Sequence, residues 1–353
     1  MLSIMLDLYS EPALTAFFGL VGGIILGLAA RIGRFCTLGA IEDLYYGGSS
    51  LRLRMWGIAI GVAVIGTFGL SALGIVTLDH TLYLNRVWNP VASIFGGLMF
   101  GYGMALSGNC GYGALARLGG GDLRSFVIVL VMGIFAYITL GGPLAPLRLY
   151  LFGDTIPSEA TYSFAYLFSS ISSVPVNLVG MILGALILIA TLSNREILSS
   201  KTTLFWSVLI GLAIVSGWAG TSWLATNGFD DLPVVSHTFS APIGETILYS
   251  MTSSGNSLSF GTGSVIGVLL GAFIGSLFKG HFRWEACDDP RELRRQIFGA
   301  ALMGTGAVIS IGCSVGQGLS AFSVLSFSAP VTFIAILLGA WVGLKQLIVG
   351  LSG

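Results

Sequence analysis

Long apolar segments separated by short polar stretches follow one another along almost the whole chain. A helix needs roughly 17–25 apolar residues to cross the hydrocarbon core of a bilayer, and nine segments approach or reach this length. They are Ala13–Ala30, Met55–Val76, Val91–Leu106, Ser125–Leu140, Val174–Leu192, Thr203–Trp223, Gly261–Phe278, Arg295–Ile311 and Pro330–Val349. Because the backbone of a lipid-exposed segment must be hydrogen-bonded within the protein, the pattern predicts an all-α, polytopic membrane protein with about nine transmembrane helices.

One further apolar stretch, Pro143–Phe168, is interrupted by Gly153, Asp154 and Pro157. Glycine and proline break a helix, and a carboxylate is costly in hydrocarbon. We therefore interpret this stretch as an excursion along the membrane interface.

The composition agrees with a chain that is embedded in membrane lipid. Of its 353 residues, 54% are hydrophobic and 9% are charged, whereas soluble proteins carry about 25% charged residues. The 51 glycines are about twice the usual share. Small residues let membrane helices approach closely and permit the broken helices that line transport sites. The net charge is zero, so nothing in it indicates a nucleic-acid partner.

The charges also predict an orientation. With nine crossings, fourteen of the sixteen Lys and Arg residues fall on one face, and only Arg86 and Arg148 fall on the other. Positive charge marks the cytoplasmic face. We therefore predict a multi-pass protein of the cytoplasmic (inner) membrane, with its N-terminus outside and its C-terminus in the cytoplasm.

An internal repeat appears when the chain is shifted by 203 residues. Phe95–Gly113 and Phe298–Gly316 share seven of nineteen positions, including Cys110 and Cys313. The first repeat half with a connecting span, 1–192, and the second half, 203–353, are offset by five crossings, an odd number, so the halves would have opposite orientations. This predicts one membrane domain, 1–353, with an inverted repeat and pseudo-twofold symmetry, an arrangement typical of transporters.

Two weaker copies extend the repeat. Gly22–Ala40 places Cys36 at the position of the other two cysteines, while Gly211–Gly220 places Gly220 there. Each half would then contain two related units. The alternative is a set of packed glycine-rich hairpins with no transport role.

Three glycine-flanked cysteine motifs stand at the ends of apolar segments. They read GRFCTLGA around Cys36, SGNCGYGALAR around Cys110 and IGCSVGQGLSAF around Cys313. Each precedes about eight to ten residues that are compatible with a helix, which is a length of two to three turns. The pattern predicts a tight turn followed by a short re-entrant half-helix, with the cysteine near its N-terminus.

This position has chemical consequences. Free backbone N–H groups and the helix dipole attract anions, and a thiol is soft and polarisable. A row of such sites suits an anion with one soft sulfur and several oxygens. A single buried cysteine is more often a small apolar residue, but three in related turns favour binding. The candidate substrate-binding residues are Cys36, Cys110, Cys313, Asn109, Gly111, Gly312, Ser314 and Gln317. Of these, Asn109 and Gln317 could equally well satisfy the backbone of the turns.

Other residue types predict no catalytic residue, metal or cofactor. His80, His237 and His281 fall in predicted loops, which argues against intramembrane haem. No Asp or Glu lies within a predicted span, as a proton relay would need, and the chain has no Walker A motif. Cys287, in a charged loop, is interpreted as incidental.

The longest loop on the predicted outer face is Asn227–Ser257. It contains a short predicted helix with Ser240 as its cap. A lid, an outer vestibule and a solvated loop are all open interpretations.

The three cysteine motifs, in this order, resemble those of the YeeE/YedE family of membrane proteins, which includes thiosulfate transporters. GRFC and GCSVGQGL carry most of the resemblance, which spans essentially the whole chain, while Asn109 stands where the family often has glycine. The resemblance implies short helices dipping inward and uptake of thiosulfate past Cys36, Cys110 and Cys313. It also implies a TusA-like cytoplasmic sulfur carrier as a separate partner chain.

Two alternatives stay open at this point. The same fold could carry another sulfur or selenium species. The chain could instead be a membrane sulfurtransferase or thiol oxidoreductase, although such enzymes usually have a Cys-X-X-Cys pair, and the sequence has none.

Overall fold

The computed structural model describes residues 10–153, 161–230, 232–286 and 289–351, and this part of the chain is all-helical. In chain order the helices are α1 (Glu11–Arg31), α2 (Thr37–Tyr45), α3 (Leu51–Ala72), α4 (Pro90–Ser107), α5 (Gly111–Gly119), α6 (Leu123–Leu140), α7 (Ala145–Phe152), α8 (Phe164–Ser172), α9 (Val176–Leu192), α10 (Arg195–Ser199), α11 (Lys201–Asn227), α12 (Ala241–Thr252), α13 (Phe260–Phe278), α14 (Pro290–Ile309) and α15 (Ser328–Leu351). A 3-10 turn covers Leu78–His80, and a π-helical turn, Gly316–Ala321, lies inside a short helix of residues 314–323.

Among the described residues, seven helices are long and apolar enough to cross a membrane: α1, α3, α4 together with α5, α6, α11, α13 and α15. The pair α8 and α9, bent by 117°, would make an eighth. The remaining predicted span, Arg295–Ile311, lies in α14, whose N-terminal half is charged. The prediction of an all-α polytopic membrane protein is therefore confirmed, whereas the count of nine crossings stays a prediction.

The long helices pack tightly in pairs. α1 lies along α13, α4 lies against both α14 and α15, and α3 contacts α9 and α11. Glycine makes the closest approach possible, because a Cβ atom at Gly27 would collide with the carbonyl oxygen of Val268 and the backbone of Ala272. Such backbone contact is the usual way that membrane helices gain packing energy.

The structure corrects one part of the predicted repeat. Gly220, aligned with the cysteines, lies within the 27-residue helix α11 and packs against Phe18. It is therefore not in a turn, and the connection to the next short helix begins only after Asn227.

The stretch predicted to run along the interface contains α7 and the start of α8, and α7 buries none of its residues. Asp154 and Pro157 lie outside the described residues, as does Cys287.

Candidate functional site

Each of the three predicted short helices begins beside its cysteine. Cys36 is the N-cap of α2, Cys110 is the N-cap of α5, and Cys313 directly precedes the short helix of residues 314–323. In each case the sulfur accepts a hydrogen bond from the backbone N–H three residues later: from Gly39 to Cys36 at 3.5 Å, from Gly113 to Cys110 at 3.3 Å and from Gly316 to Cys313 at 3.4 Å. The thiols thus take the capping role that serine or aspartate usually fills.

A left-handed residue stands two positions before each cysteine. These residues are Arg34 (φ 58°), Gly108 (φ 71°) and Ile311 (φ 55°). Glycine adopts this conformation freely, but for a β-branched residue such as Ile311 it is strained. The same turn therefore places all three cysteines, and it is kept even where the side chain opposes it.

The three cysteines come together around Cys110. Cys110 and Cys313 are 0% and 1% exposed, and Cys36 is partly exposed. Cys110 lies within electrostatic range of both Cys36 and Cys313. The arrangement therefore runs from a partly accessible thiol to two buried ones.

Cys313 has partners that the sequence did not indicate. The backbone N–H of Phe239 donates a hydrogen bond to its sulfur at 3.3 Å, and the Thr238 hydroxyl lies 3.7 Å from the same atom. The buried Tyr83 lies beside Thr238 and Cys313. No motif could have revealed these contacts, because they come from loops far away in the chain.

The segment that supplies Phe239, residues 234–240, crosses the protein interior. His237 is 0% exposed, and its Nδ1 lies 2.6 Å from the Ser264 hydroxyl. Ser320 Oγ donates to the His237 carbonyl oxygen at 2.6 Å. The interpretation as a solvated loop is therefore wrong for this segment. The predicted helix is present as α12, but the Ser240 side chain makes no capping hydrogen bond.

The two candidate glycines lie in crowded places. A Cβ at Gly111 would lie 2.6 Å from the sulfur of Met132 and 3.2 Å from the Phe239 carbonyl oxygen. Gly312 has φ 154°, and a Cβ there would lie 3.0 Å from the Gln317 side chain. Both glycines therefore let neighbouring groups approach the cysteines closely.

The polar candidates differ in how they are engaged. The Gln317 amide donates to the carbonyl oxygens of Ser310 and Ile311 at 2.8 and 3.0 Å and accepts from Ser328 at 3.1 Å, so it holds the turn together. Ser314 is 0% exposed, and its hydroxyl has no hydrogen-bond partner within the described chain, although it lies near Cys110. The Cys110 thiol is thus the polar group that interacts with the Ser314 hydroxyl, through a contact weaker than a full hydrogen bond.

A cavity of about 430 Å³ reaches this cluster from one side, and Cys36 and Asn109 lie in its wall. Asn109 is 3% exposed. Among the described residues, no group of three His, Cys, Asp or Glu side chains is placed to hold a metal ion.

Comparison with known proteins gives concordant results. The thiosulfate transporter TsuA of Escherichia coli strain K12 is 27% identical over 342 residues, 92% of each chain. The thiosulfate transporter TsuA of Spirochaeta thermophila is 24% identical over 332 residues, 92% of this chain and 96% of that one. The probable transporter YedE of Salmonella typhimurium is 25% identical over 140 residues, 39% of this chain and 31% of its own length. The model of the sulphur transport family matches residues 32–342. The chain therefore belongs to the sulphur transport (YeeE/YedE) family of multi-pass membrane transport proteins.

Proposed function

We propose that this protein takes up thiosulfate across the cytoplasmic membrane along a pathway lined by Cys36, Cys110 and Cys313. The observation that carries the proposal is the clustering of three thiols, each at the N-terminus of a short helix. Helix N-termini attract the charged oxygens of an anion, and a polarisable thiol suits its terminal sulfur. Two similar proteins named thiosulfate transporters support this choice of substrate.

The remaining site residues have separate roles in this proposal. The Ser314 hydroxyl, which lies beside the Cys110 thiol, and the Asn109 amide donate hydrogen bonds to the oxygens of the ion. Gly111 and Gly312 let Met132 and Gln317 pack closely beside the thiols. Gln317 keeps the turn before Cys313 in shape, which places the thiol and the N–H groups that follow it.

We further propose nine crossings, with the N-terminus outside. Three pairs of loops are joined by β-bridges, and a bridge requires that both loops lie at the same face. Nine crossings satisfy this condition for every pair, whereas seven, without α9 and α14, would place the first pair on opposite faces. The bridged pairs are Thr81–Val234, Asp122–Glu285 and Ser163–Ser326.

The packing of the helices supports two inverted halves, 1–192 and 203–353, within the single domain 1–353. Exchanging the halves maps α1 onto α11, α3 onto α13, α4 onto α14 and α6 onto α15. The contact between α1 and α13 then has the contact between α11 and α3 as its symmetry equivalent. In the same way, the contact between α4 and α15 has the contact between α14 and α6 as its equivalent. All four contacts are observed, as pseudo-twofold symmetry requires.

On the cytoplasmic side, a thiolate of a separate TusA-like sulfur carrier takes the outer sulfur of thiosulfate as a persulfide, the S–S bond of the ion breaks, and sulfite leaves. Removal of thiosulfate by such an acceptor would drive net uptake without a carboxylate-based proton relay. This part of the proposal rests on the family resemblance.

The test is entry of radiolabelled thiosulfate into proteoliposomes that contain the purified protein. We expect uptake above that of protein-free vesicles and competition by excess unlabelled thiosulfate. If thiosulfate enters vesicles that contain folded protein no faster than it enters empty vesicles, the proposal is wrong. Mass spectrometry of Cys110 after turnover separates transport from enzymatic sulfur transfer, because only the latter leaves a persulfide on the thiol.

A further inference from the structure

The cavity beside Cys36 has a strongly cationic wall. It is formed by the end of α1, α2, α5 and the end of α13. Five cationic side chains face one carboxylate there, an excess of four positive charges with histidine neutral. The charged lining residues are Arg31, Arg34, Arg52, Arg117, Lys279 and Glu42. A concave surface of one sign concentrates ions of the opposite sign.

Three of these cations already have partners. Arg31 Nε donates to Ser276 Oγ at 2.7 Å, and Lys279 Nζ donates to the Ile32 carbonyl oxygen at 3.1 Å. The third, Arg52, forms an ion pair at 3.0 Å with an aspartate outside the cavity wall. The first two contacts, with neutral partners, leave the charges of Arg31 and Lys279 in the cavity, whereas the ion pair offsets the charge of Arg52.

The other two cations are uncommitted. Within the described residues, neither Arg34 nor Arg117 forms a hydrogen bond or an ion pair within 4 Å. The strained turn before Cys36 orients Arg34, whose φ is 58°, and Arg117 lies in the last turn of α5. Two guanidinium groups without a hydrogen bond thus lie in the wall of one cavity, where Arg117 is within electrostatic range of the Glu42 carboxylate.

Asn109 supplies an independent indication of a ligand. Its side chain is 3% exposed, lies in the cavity wall and makes no hydrogen bond within the described chain. A nearly buried amide normally finds a partner. An anion in the cavity would give it one.

We infer that this cavity is a binding site for tetrahedral dianions, held by Arg34, Arg117 and the Asn109 amide, and that it takes sulfate as readily as thiosulfate. Guanidinium groups recognise oxygens by paired, charge-assisted hydrogen bonds. Sulfate and thiosulfate have the same charge, and three of their oxygens correspond. In this inference, the buried thiols of Cys110 and Cys313 distinguish thiosulfate from sulfate. The binding site stands on its own geometry, and only its place on the transport pathway rests on the proposed function.

The test is equilibrium binding of radiolabelled sulfate to the purified full-length protein in neutral detergent. We expect saturable binding that Arg34→Gln and Arg117→Gln each weaken about tenfold, the loss expected for one charge-assisted contact. Arg117→Lys, which keeps the charge but loses the fork geometry, should fall in between. Arg54→Gln is the matched control, because Arg54 binds the carbonyl oxygen of Thr191 outside the cavity wall.

Competition completes the design. Thiosulfate should displace sulfate with an affinity within about threefold of sulfate itself, since the oxygens carry recognition. No sulfate binding to the wild type, or equal binding to the wild type and both glutamine variants, overturns the inference. If thiosulfate displaces the bound sulfate at a concentration about a hundredfold lower than unlabelled sulfate needs, the inference that the site does not discriminate between the two ions is overturned. Displacement by equimolar phosphatidylglycerol assigns the site to a lipid phosphate instead.

Thiosulfate entry into proteoliposomes, measured on the same preparations, separates the two proposals. If the protein binds sulfate but admits no thiosulfate, the anion site stands and the transport proposal fails. If it admits thiosulfate while the arginine variants bind sulfate like the wild type, the anion site fails alone.

Discussion

Replacing each cysteine by alanine and by serine separates the two roles that the thiols have in this structure. Each sulfur accepts a capping N–H and, in the proposal, also contacts the substrate. Serine keeps an acceptor at the N-cap, where it is among the preferred residues, but it removes the soft sulfur. Alanine removes both.

The cost of alanine follows from the number of donors that lose their acceptor. Cys313 accepts from Phe239 and Gly316, whereas Cys110 and Cys36 accept one N–H each. Sulfur is a weak acceptor, so each N–H is worth about 0.5–1 kcal/mol. Cys313→Ala should therefore destabilise the fold by about 1–2 kcal/mol, and Cys110→Ala by about half of that. Cys36→Ala should destabilise the fold least, because Cys36 is partly exposed and water can replace the lost acceptor.

The assay pairs thermal unfolding in detergent with thiosulfate uptake. We expect Tm to fall by a few degrees for Cys313→Ala, less for Cys110→Ala and least for Cys36→Ala, while the serine variants stay close to the wild type. Uptake should be lost in both series at Cys110 and Cys313. If Cys110→Ser and Cys313→Ser transport thiosulfate at the wild-type rate, the thiols are only caps, and the reasoning from soft sulfur is refuted.

Three further predictions concern the frame around the site. Gly27→Ala should lower Tm, because the added methyl group meets the backbone of α13 and overpacking costs about 1–3 kcal/mol. Gly69→Ala is the control and should leave Tm unchanged or raise it, because Gly69 has open space around it in α3. Equal effects of the two variants on Tm would contradict the packing argument. Ile311→Gly should raise Tm or leave it unchanged despite the loss of apolar contact. The substitution relieves about 1–2 kcal/mol of backbone strain, because a non-glycine residue is strained in the left-handed conformation. A large loss of stability would show that the turn is not strained. Burial raises the pKa of Glu245 above 4.5, opposed by a hydrogen bond from a serine hydroxyl. The folded state therefore holds this proton more tightly, so stability should fall as the pH rises from 4.5 through the raised value. Glu245→Gln should have a higher Tm than the wild type at neutral pH and lose that advantage near pH 4.5, and a difference that does not depend on pH would contradict this assignment.

The sequence predicts the frame of the protein and the placement of the cysteines well, for local reasons. Long apolar runs indicate the long helices, because backbone N–H and C=O groups in lipid must be hydrogen-bonded within the protein, and a helix satisfies them locally. A glycine-flanked cysteine after such a run marks the start of a short helix, because the turn and the cap are made by neighbouring residues. Cys36 and Cys110 are N-caps for this reason.

The sequence fails where polar groups find partners far along the chain. The stretch that contains Ser236 and His237 reads as a loop, because its residues are polar. In the fold, Ser236 donates to the Ile214 carbonyl oxygen at 2.8 Å, and His237 pairs with Ser264. Their partners are 22 and 27 residues away in the chain, so no local pattern reveals that the segment can be buried at little cost. Arg34 and Arg117 escape notice for a similar reason, since only the fold places them in one cavity.

The proposed repeat unit that lacks a cysteine, with α11 as its long helix, adds a further contact to Cys313. In the other three units, the long helix and the short helix are joined by a tight turn with a left-handed residue. After α11, the described residues 228–230 and 232–240 form a longer connection, which reaches the later short helix of the same half and places the Phe239 N–H on Cys313. The segment is otherwise held by hydrogen bonds to oxygen and nitrogen, such as that between Thr221 and the Val235 carbonyl oxygen at 2.8 Å. Because its contacts with sulfur are the weak ones, we expect an ion on the proposed pathway to displace these before the hydrogen bonds to oxygen and nitrogen.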